Sequence, residues 1–311
     1  MTRDFSMRKI LAFCTAILLM FTFSGCQNAE KNYVNPPFFT VKDESTGGEV
    51  YMLGSMHVGL PNTVYPDEIY DALNRCNALA CEVDVIRFGE DRAEINEAMK
   101  VFECNSAAEL MGEDYDEIKR VFVEKGLYNA NYERYIPAMW SITLTQKAAR
   151  DSGYSSNYGT EHEFLNYAKK NNISIIELET AAEQYQINAG QSPALQLYSL
   201  KSTVEMPYET LKSQNTALYN AWRENNRLSL EIMLSPSGVP EELAEDFASY
   251  YSEMYEKRQR KMADFVIKSL KNGEKIFLMV GAAHFYASPD ILDYLEDAGY
   301  SAETVEFGNA A

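Results

Sequence analysis

The sequence predicts an α/β fold made of two related βα halves, with a helical cover between them. Three observations support this prediction: strands and helices alternate at both ends of the chain, each of these ends carries a Gly-x-x-His motif after a strand, and the region between them is helical almost throughout. The 311 residues suffice for one large α/β domain or two small ones. With 46% apolar and 24% charged residues, the composition is typical of a folded globular protein.

The first half begins with a short apolar strand at residues 50–53, which leads into Gly54 and His57. Residues 66–76 have apolar positions four apart and a proline at the start, the pattern of a helix that begins at this proline. Residues 79–83 follow as a buried strand. These elements together predict a βαβ unit.

The middle of the chain is predicted to be mostly helical, over residues 86–150 and again over 194–271. Between these two regions, residues 161–170 have helical spacing and 173–178 form an apolar strand. A Thr-x-x-Glu capping box at 180–183 starts a further helix.

The last forty residues repeat the opening order of elements. A strand at 276–280 enters Gly281 and His284, a Pro-Asp pair precedes a helix at 290–295, and residues 304–307 form the next strand. The order strand, Gly-x-x-His, Pro-Asp, helix, strand therefore occurs twice.

Two of the three histidines occupy this repeated position, His57 in the first half and His284 in the second. Each comes just after the carboxyl end of a strand, where open α/β sheets bind ligands. Neutral imidazole is a common metal ligand and usually acts together with carboxylates. Glu82 ends an apolar strand and requires a partner, which is a cation, an arginine or a set of hydrogen bonds. The alternative is that each imidazole caps its own turn and Glu82 forms a structural ion pair.

The remaining histidine, His162, is left out of the predicted site. It adjoins Glu161 on a predicted helix, and neighbouring helix positions do not share a face. The chain contains no His-Glu-x-x-His, no Gly-x-Ser-x-Gly and no glycine-rich phosphate loop. These absences argue against a zincin-type site and against a nucleophile-elbow hydrolase.

The N-terminal segment has the features of an export signal. Basic residues precede an apolar run at 10–23, which is too short to span a membrane. The run ends in small residues before Cys26 and resembles a bacterial lipobox, which implies cleavage after residue 25 and lipidation of Cys26. We therefore expect a signal peptide at 1–25, a lipidated cysteine and tether at 26–37, and a domain at 38–311. The expected location is extracytoplasmic and lipid-anchored to the cell membrane; the alternative is an ordinary secretory signal or an uncleaved anchor.

The net charge of the chain argues against one class of partner. Lysine and arginine number 28 against 46 aspartates and glutamates, so the formal charge is −18 and the surface repels phosphate backbones. Nucleic acid is therefore excluded as an expected partner.

Cys76, Cys81 and Cys104 are expected to be buried free thiols, although two of them could pair in an exported protein.

Several separated motifs resemble, in order, those of the TraB/GumN (PrgY-like) family. The departures are Gln259 in place of the usual asparagine and Glu161 in place of the commoner aspartate. The matching segments, which span about 40–308, are Tyr51-Met52-Leu53-Gly54-Ser55-Met56-His57-Val58-Gly59, Glu82, Gly159-Thr160-Glu161, Ile176-Glu177-Leu178-Glu179-Thr180 with Gln184, Arg258, and Val280-Gly281-Ala282-Ala283-His284-Phe285.

The family includes the Wnt-inactivating TIKI proteins, which are metal-dependent proteases, and the enterococcal PrgY protein, which limits a peptide pheromone. The resemblance implies hydrolysis of extracellular peptides or proteins with a divalent metal ion, which would be Mn, Co or Zn. The expected metal ligands and catalytic residues follow from it. His57, Glu82 and His284 would bind the metal. Glu161 would join them or act as general base, and Glu179 and Arg258 would orient the ligands or hold the substrate.

The alternative function is a surface binder that sequesters a peptide or haem without turning it over. Paired histidines serve such a role equally well, and the 21 tyrosines could line a peptide groove. Because most tyrosines have helical spacing, core packing is the simpler interpretation for them.

Overall fold

The structure is a computed structural model that describes residues 30–235 and 238–307. The predicted signal peptide at 1–25 and the predicted lipidation site, Cys26, lie outside these residues. Within the described ranges, no helix has the length and apolar character needed to cross a membrane.

The prediction of an α/β fold is confirmed, because a mixed six-stranded sheet lies among many helices. The order in the main sheet is β6-β5-β7-β3-β2-β8, and β1 and β4 form a separate parallel pair. Only β2 runs against its neighbours in the main sheet. The strands are β1 Asn32–Tyr33, β2 Phe38–Asp43, β3 Gly48–Ser55, β4 Thr63–Val64, β5 Ala78–Cys81, β6 Ser174–Glu177, β7 Lys275–Gly281 and β8 Glu303–Thr304.

The helices account for most of the remaining described chain. A π-helical turn, Ser252–Glu256, joins α12 to α13, and a 3₁₀ turn, Ala282–Phe285, follows β7. The α-helices are α1 Asp67–Asn74, α2 Val85–Glu90, α3 Arg92–Met99, α4 Ala107–Met111, α5 Tyr115–Glu124, α6 Pro137–Asp151, α7 Thr160–Lys170, α8 Ala181–Ala189, α9 Pro193–Glu205, α10 Tyr208–Arg223, α11 Arg227–Leu234, α12 Ala244–Tyr251, α13 Lys257–Lys271 and α14 Ile291–Asp297. Other 3₁₀ turns lie at Lys100–Phe102, Gly112–Asp114, Ala130–Arg134, Ser156–Tyr158 and Glu241–Leu243.

The two strands that precede the Gly-x-x-His motifs are direct neighbours. β3 and β7 are parallel, with Ser55 opposite Gly281. From this pair, β3-α1-β5 crosses to one side of the sheet and β7-α14-β8 crosses to the other. The connections therefore separate at the carboxyl ends of β3 and β7, which is the topological switch point at which open α/β sheets bind ligands.

The helical cover has a hydrophobic core of its own. Phe122 on α5 packs against Trp140 on α6, with ring centroids 4.6 Å apart, and Leu144 and Leu200 belong to the same buried cluster. The sheet and its flanking helices form the larger core, which contains strands β2, β3, β5 and β7. The cover is thus a packed layer rather than a loose insertion.

Local signals in the sequence account for several boundaries. Thr180 and Glu183 form the predicted capping box of α8, and Asp290 caps α14. The strand predicted at 304–307 is shorter than expected and covers only Glu303–Thr304. Its hydrogen bonds to β2 end with the one that Val305 N donates to Phe38 O. Cys76, Cys81 and Cys104 are free, as expected, but only Cys81 is buried, whereas Cys76 and Cys104 are partly exposed.

Residues 32–37, within the expected tether, lie against the domain. Asn32–Tyr33 pairs with β4, and Asn35 N donates to Arg223 O at 2.7 Å. The chain therefore enters the fold beside the end of α10.

Candidate active site

All six residues predicted to bind metal or to be catalytic lie near the carboxyl ends of β3, β5, β6 and β7. His57 follows β3 and His284 lies in the turn after β7. Glu82 directly follows β5, and Glu179 lies two residues after β6. The remaining two come from helices, since Glu161 begins α7 and Arg258 begins α13.

Both carboxylate oxygens of Glu82 are engaged. Oε1 accepts a hydrogen bond from Gly281 N at 2.7 Å and lies 3.7 Å from His284 Nε2. Oε2 accepts from Arg258 Nη2 at 2.7 Å and from Gln184 Nε2 at 2.8 Å. Burial opposes ionisation of Glu82, but the Arg258 guanidinium and both imidazoles outweigh it and hold its pKa well below the ordinary value.

Arg258 joins two carboxylates that follow neighbouring strands. Besides Glu82, it contacts Glu179 through Nε and Nη2, both at 2.7 Å. Gln184 bridges the same two carboxylates, because its Nε2 also donates to Glu179 Oε2 at 2.9 Å. Glu179 and Arg258 therefore form an ion pair, and Glu82 takes part in it.

His57 is held by Glu161 rather than by Glu82. Its Nδ1 lies 2.7 Å from Glu161 Oε1, which also accepts from Ser55 Oγ at 2.6 Å. Burial opposes protonation of His57, but the Glu161 carboxylate raises its pKa to about 9. Because Nδ1 faces Glu161, Nε2 is directed to the opposite side of the ring.

His284 has the opposite electrostatic setting. It is 3% exposed, and burial together with the Arg258 charge lowers its pKa to about 3. Its Nδ1 is buried without a hydrogen-bond partner in the described part of the chain. One imidazole of the pair is thus favoured as a cation and the other as a neutral base.

Two glycines allow these groups to approach one another. A Cβ atom at position 281 would lie 3.3 Å from Glu82 Oε1, 3.6 Å from His57 Nε2 and 3.9 Å from His284 Cδ2. A Cβ atom at position 159 would lie 2.4 Å from the carbonyl oxygen of His57. Gly281 therefore leaves open the space that the two imidazoles and Glu82 face, and Gly159 lets the start of α7 reach His57.

The cluster forms the floor of a cleft that holds about 720 Å³ of empty space, part of it open to solvent. One wall is provided by α8, α10 and α11, and the other by the π-helical turn and the loop after β7. The main apolar side chains of these walls are Ile187, Leu218, Leu230, Leu234, Met254 and Tyr255. Such a cleft, apolar with a few convergent polar groups, is typical of a ligand site.

A sequence model of the TraB/PrgY/gumN family matches residues 37–304, which is most of the chain. The chain belongs to the TraB/PrgY/gumN family. Neither a curated protein nor a solved structure gives a significant match. The segments by which the sequence resembled the TraB/PrgY/gumN family supply the residues of the cluster described above.

Sequence reasoning assigned no role to two residues of the cluster in this TraB/PrgY/gumN protein. Gln184 was noted only as part of a motif, and Ser55 stands within the first Gly-x-x-His motif. Gln259, which departs from the family pattern, lies outside the cluster, since its Nε2 donates to Ala287 O. His162, which was left out of the predicted site, lines neither this cleft nor the cavity beside it.

The residues suit a divalent cation by donor type and charge. The space beside Gly281 is bordered by Nε2 of His57, Oε1 of Glu82 and the Cδ2 edge of the His284 ring, and imidazole and carboxylate are ligand types that Zn, Mn and Co accept. When His57 loses its proton to act as a ligand, the only cation left beside the three carboxylates is Arg258, so the cluster carries net negative charge. In residues 30–235 and 238–307, no group of three His, Cys, Asp or Glu side chains is arranged so that it could hold a metal ion. Binding of an ion would therefore require His57, Glu82 and His284 to move.

Proposed function

We propose that this protein is an extracytoplasmic, lipid-anchored peptidase that hydrolyses extracellular peptides or proteins with a divalent metal ion. The observation that carries the proposal is the convergence of His57, Glu82 and His284 on the space left free by Gly281, at the floor of a cleft. The lipid anchor is proposed from the lipobox at Cys26.

In this proposal His57, Glu82 and His284 hold the ion. A divalent ion supplies Lewis acidity, which polarises a carbonyl and lowers the pKa of a bound water to about 7. His57 presents Nε2 to the cleft because Glu161 holds Nδ1, the carboxylate–histidine arrangement that orients metal-binding imidazoles. We therefore assign Glu161 to positioning His57.

Arg258 and Gln184 fix Glu82 so that its Oε1 faces Gly281 and its Oε2 faces away. Glu179 balances the charge of Arg258 and keeps the guanidinium in place. Arg258 has little capacity left for a substrate, because its Nη1 donates to Met254 O. The apolar walls would then bind the peptide chain, and the polar floor would contact the scissile bond.

A second candidate is the binder that holds a peptide or haem without cleaving it. The observation that favours it is that Arg258 and Gln184 already occupy Oε2 of Glu82 while Gly281 N occupies Oε1. A carboxylate satisfied in this way can be purely structural.

The test is metal content and cleavage of a peptide library, measured on the soluble form from Gln27. Wild type is compared with His57→Ala, His284→Ala and the matched control His162→Ala, which alters the histidine that lines neither cavity. The peptidase proposal predicts a bound divalent ion and metal-dependent cleavage that only His162→Ala retains. If wild type holds no metal ion and cleaves no peptide, but still binds a peptide or gives a Soret band with added haem, the peptidase proposal is wrong and the binder is supported.

A further inference from the structure

Helix α11 is apolar on two opposite sides. Leu230 and Leu234 are four residues apart, so they share one side of the helix, and both line the cleft. Leu228 and Ile232 each precede one of these residues by two positions, which is about 200° around the helix, and they are 67% and 51% exposed. A helix that is apolar on both sides is expected to be buried on both sides, so the exposed side requires a partner.

Leu228, Ile232 and Met233 form the outer face of α11. Met233, which is 36% exposed, extends this face along the last turn of the helix. Seven large apolar side chains are exposed in the described ranges, and three of them lie on this helix of eight residues. Single exposed apolar side chains are ordinary, whereas a cluster of them marks an interaction surface.

The outer face lies near the point at which the tether enters the fold. Asn35 N donates to the carbonyl oxygen of Arg223, the last residue of α10, at 2.7 Å. Four residues later, α11 begins at Arg227. Asn32, the first residue of β1, is six residues after Cys26, and six residues of fully extended chain reach about 20 Å. A lipid on Cys26 would therefore keep this part of the domain close to the bilayer.

We propose that the outer face of α11 docks on the lipid bilayer, with Leu228 and Ile232 inserted among the lipid headgroups. Because α11 provides one wall of the cleft, docking holds the cleft beside the bilayer surface. Three side chains alone bind a bilayer weakly, but a short tether makes docking an intramolecular step, for which weak affinity is sufficient. The proposal rests on the lipid anchor of the proposed function and not on its peptidase activity.

Other partners fit the outer face less well. A stable dimer buries roughly 800 Å² on each partner, and three partly exposed side chains offer much less. A charged partner is disfavoured because the face itself carries no charge, and the nearest ionic groups on the helix, Arg227 and Glu231, pair with each other at 2.6 Å. A small uncharged apolar face beside a lipid tether instead matches the apolar boundary of a bilayer.

The test is quenching of tryptophan fluorescence by phosphatidylcholine vesicles whose acyl chains carry bromine. The full chain, as processed by the cell, is reconstituted in these vesicles, and Leu228→Trp is compared with wild type. The two native tryptophans, Trp140 and Trp222, are buried and supply the baseline. We expect the fluorescence that Leu228→Trp adds to be quenched at least twofold.

Val123→Trp is the matched control, because Val123 is 56% exposed but lies near the other end of α10. Lys125, two residues further on, packs over the ring of Tyr208, which begins this helix. Arg223 ends it after 16 residues, so about 24 Å of helix separates the control from the outer face. The fluorescence that Val123→Trp adds should not be quenched.

Equal quenching in the two variants, or none in Leu228→Trp, would overturn the docking of α11. Self-association of wild type without lipid would also overturn it if Leu228→Ser abolished that association, since the face would then belong to a second copy. Failure of the anchor is measured separately, by mass spectrometry of the N-terminal peptide. If Cys26 carries no lipid, the soluble form from Gln27 is mixed with the same vesicles at high lipid concentration. Quenching of Leu228→Trp there would leave the docking and remove the anchor.

Discussion

Arg258 Nη2 donates to Oε2 of Glu82 at 2.7 Å, and this contact connects α13 to the carboxyl edge of the sheet. The same guanidinium holds Glu179 through two further hydrogen bonds. Two buried carboxylates that would otherwise repel each other are therefore held by one cation. The position of Glu82 beside Gly281 depends on this cation, since Gln184 alone supplies no charge.

Loss of the cation should be strongly destabilising. Arg258→Ala removes the one guanidinium that contacts both buried carboxylates, Glu82 and Glu179, and we expect it to lower the free energy of unfolding by about 3 to 5 kcal/mol. Urea denaturation at pH 7.5 measures this value. Lys257→Ala is the matched control, because Lys257 is the preceding residue and forms only an exposed ion pair with Glu253. Equal effects of the two variants would contradict the role given to Arg258.

The loss of unfolding free energy caused by Arg258→Ala should be smaller at low pH. The pKa of Glu82 is lowered from 4.5 to about 2, so its ionised form contributes stability above about pH 4.5 that is lost as the pH falls through about 2. Without Arg258, burial favours the neutral carboxyl, which forms readily in acid and removes the uncompensated charge. The difference between wild type and variant should therefore be smaller at pH 3.5 than at pH 7.5 in chelator-treated protein. A difference that is constant with pH would show that Glu82 is not the group affected.

His57 and His284 should lose their protons at very different pH values. In chelator-treated protein, proton NMR should assign His57 a pKa of about 9, while His284 stays neutral down to about pH 3. Glu161→Gln removes the carboxylate that stabilises the His57 cation, so the pKa of His57 should fall by one unit or more. The pKa of His162 should fall in the same direction, because the Glu161 charge also raises it, whereas the pKa of His284 is set by burial, Arg258, Glu82 and His57. Similar pKa values for His57 and His284 would contradict the electrostatic asymmetry of the pair.

Gly281→Ala tests whether the space beside the imidazoles is used. The added methyl group would lie 3.3 Å from Glu82 Oε1 and 3.6 Å from His57 Nε2, in the space proposed for the ion. We expect metal affinity and peptide cleavage to fall at least tenfold, with a much smaller change in the urea midpoint. Gly112→Ala is the control for the site, because a Cβ there meets no atom within 4 Å; since Gly112 has a φ of +56°, this variant should lower the urea midpoint but leave metal affinity unchanged. Retention of full metal affinity in Gly281→Ala would place the ion elsewhere.

The sequence was sufficient to predict the class of fold and most of the residues at the site. Strands and helices alternate with clear periodicity, and the repeated Gly-x-x-His identified His57 and His284 as partners. The adjacency of β3 and β7 brings these two motifs together, as the duplication suggested. The ion pairs within the site were harder to predict. The pairing of each carboxylate with Arg258 or His57 depends on how α7 and α13 pack onto the sheet.

Glu161 shows this limit clearly. The sequence predicts it to be a metal ligand or a general base; in the structure its Oε1 contacts His57 and Ser55, and its side chain lines the cavity beside the cleft rather than the cleft itself. Gln184 received no role from the sequence, yet its uncharged side chain on α8 donates hydrogen bonds to both Glu82 and Glu179. Long-range pairings of this kind leave no periodic signal in a single sequence.

The central position of β7 has a consequence for synthesis of the protein. Only after residues 275–281 enter between β5 and β3 does Glu82 gain its bond to Gly281 N, and only then does His284 reach the edge that His57 already occupies. A chain that lacks its last forty residues has a gap in the middle of its sheet and half of its histidine pair. The complete cluster therefore forms only when residues 275–284 have been translated and have folded back onto the first half of the chain, so shorter chains should lack it.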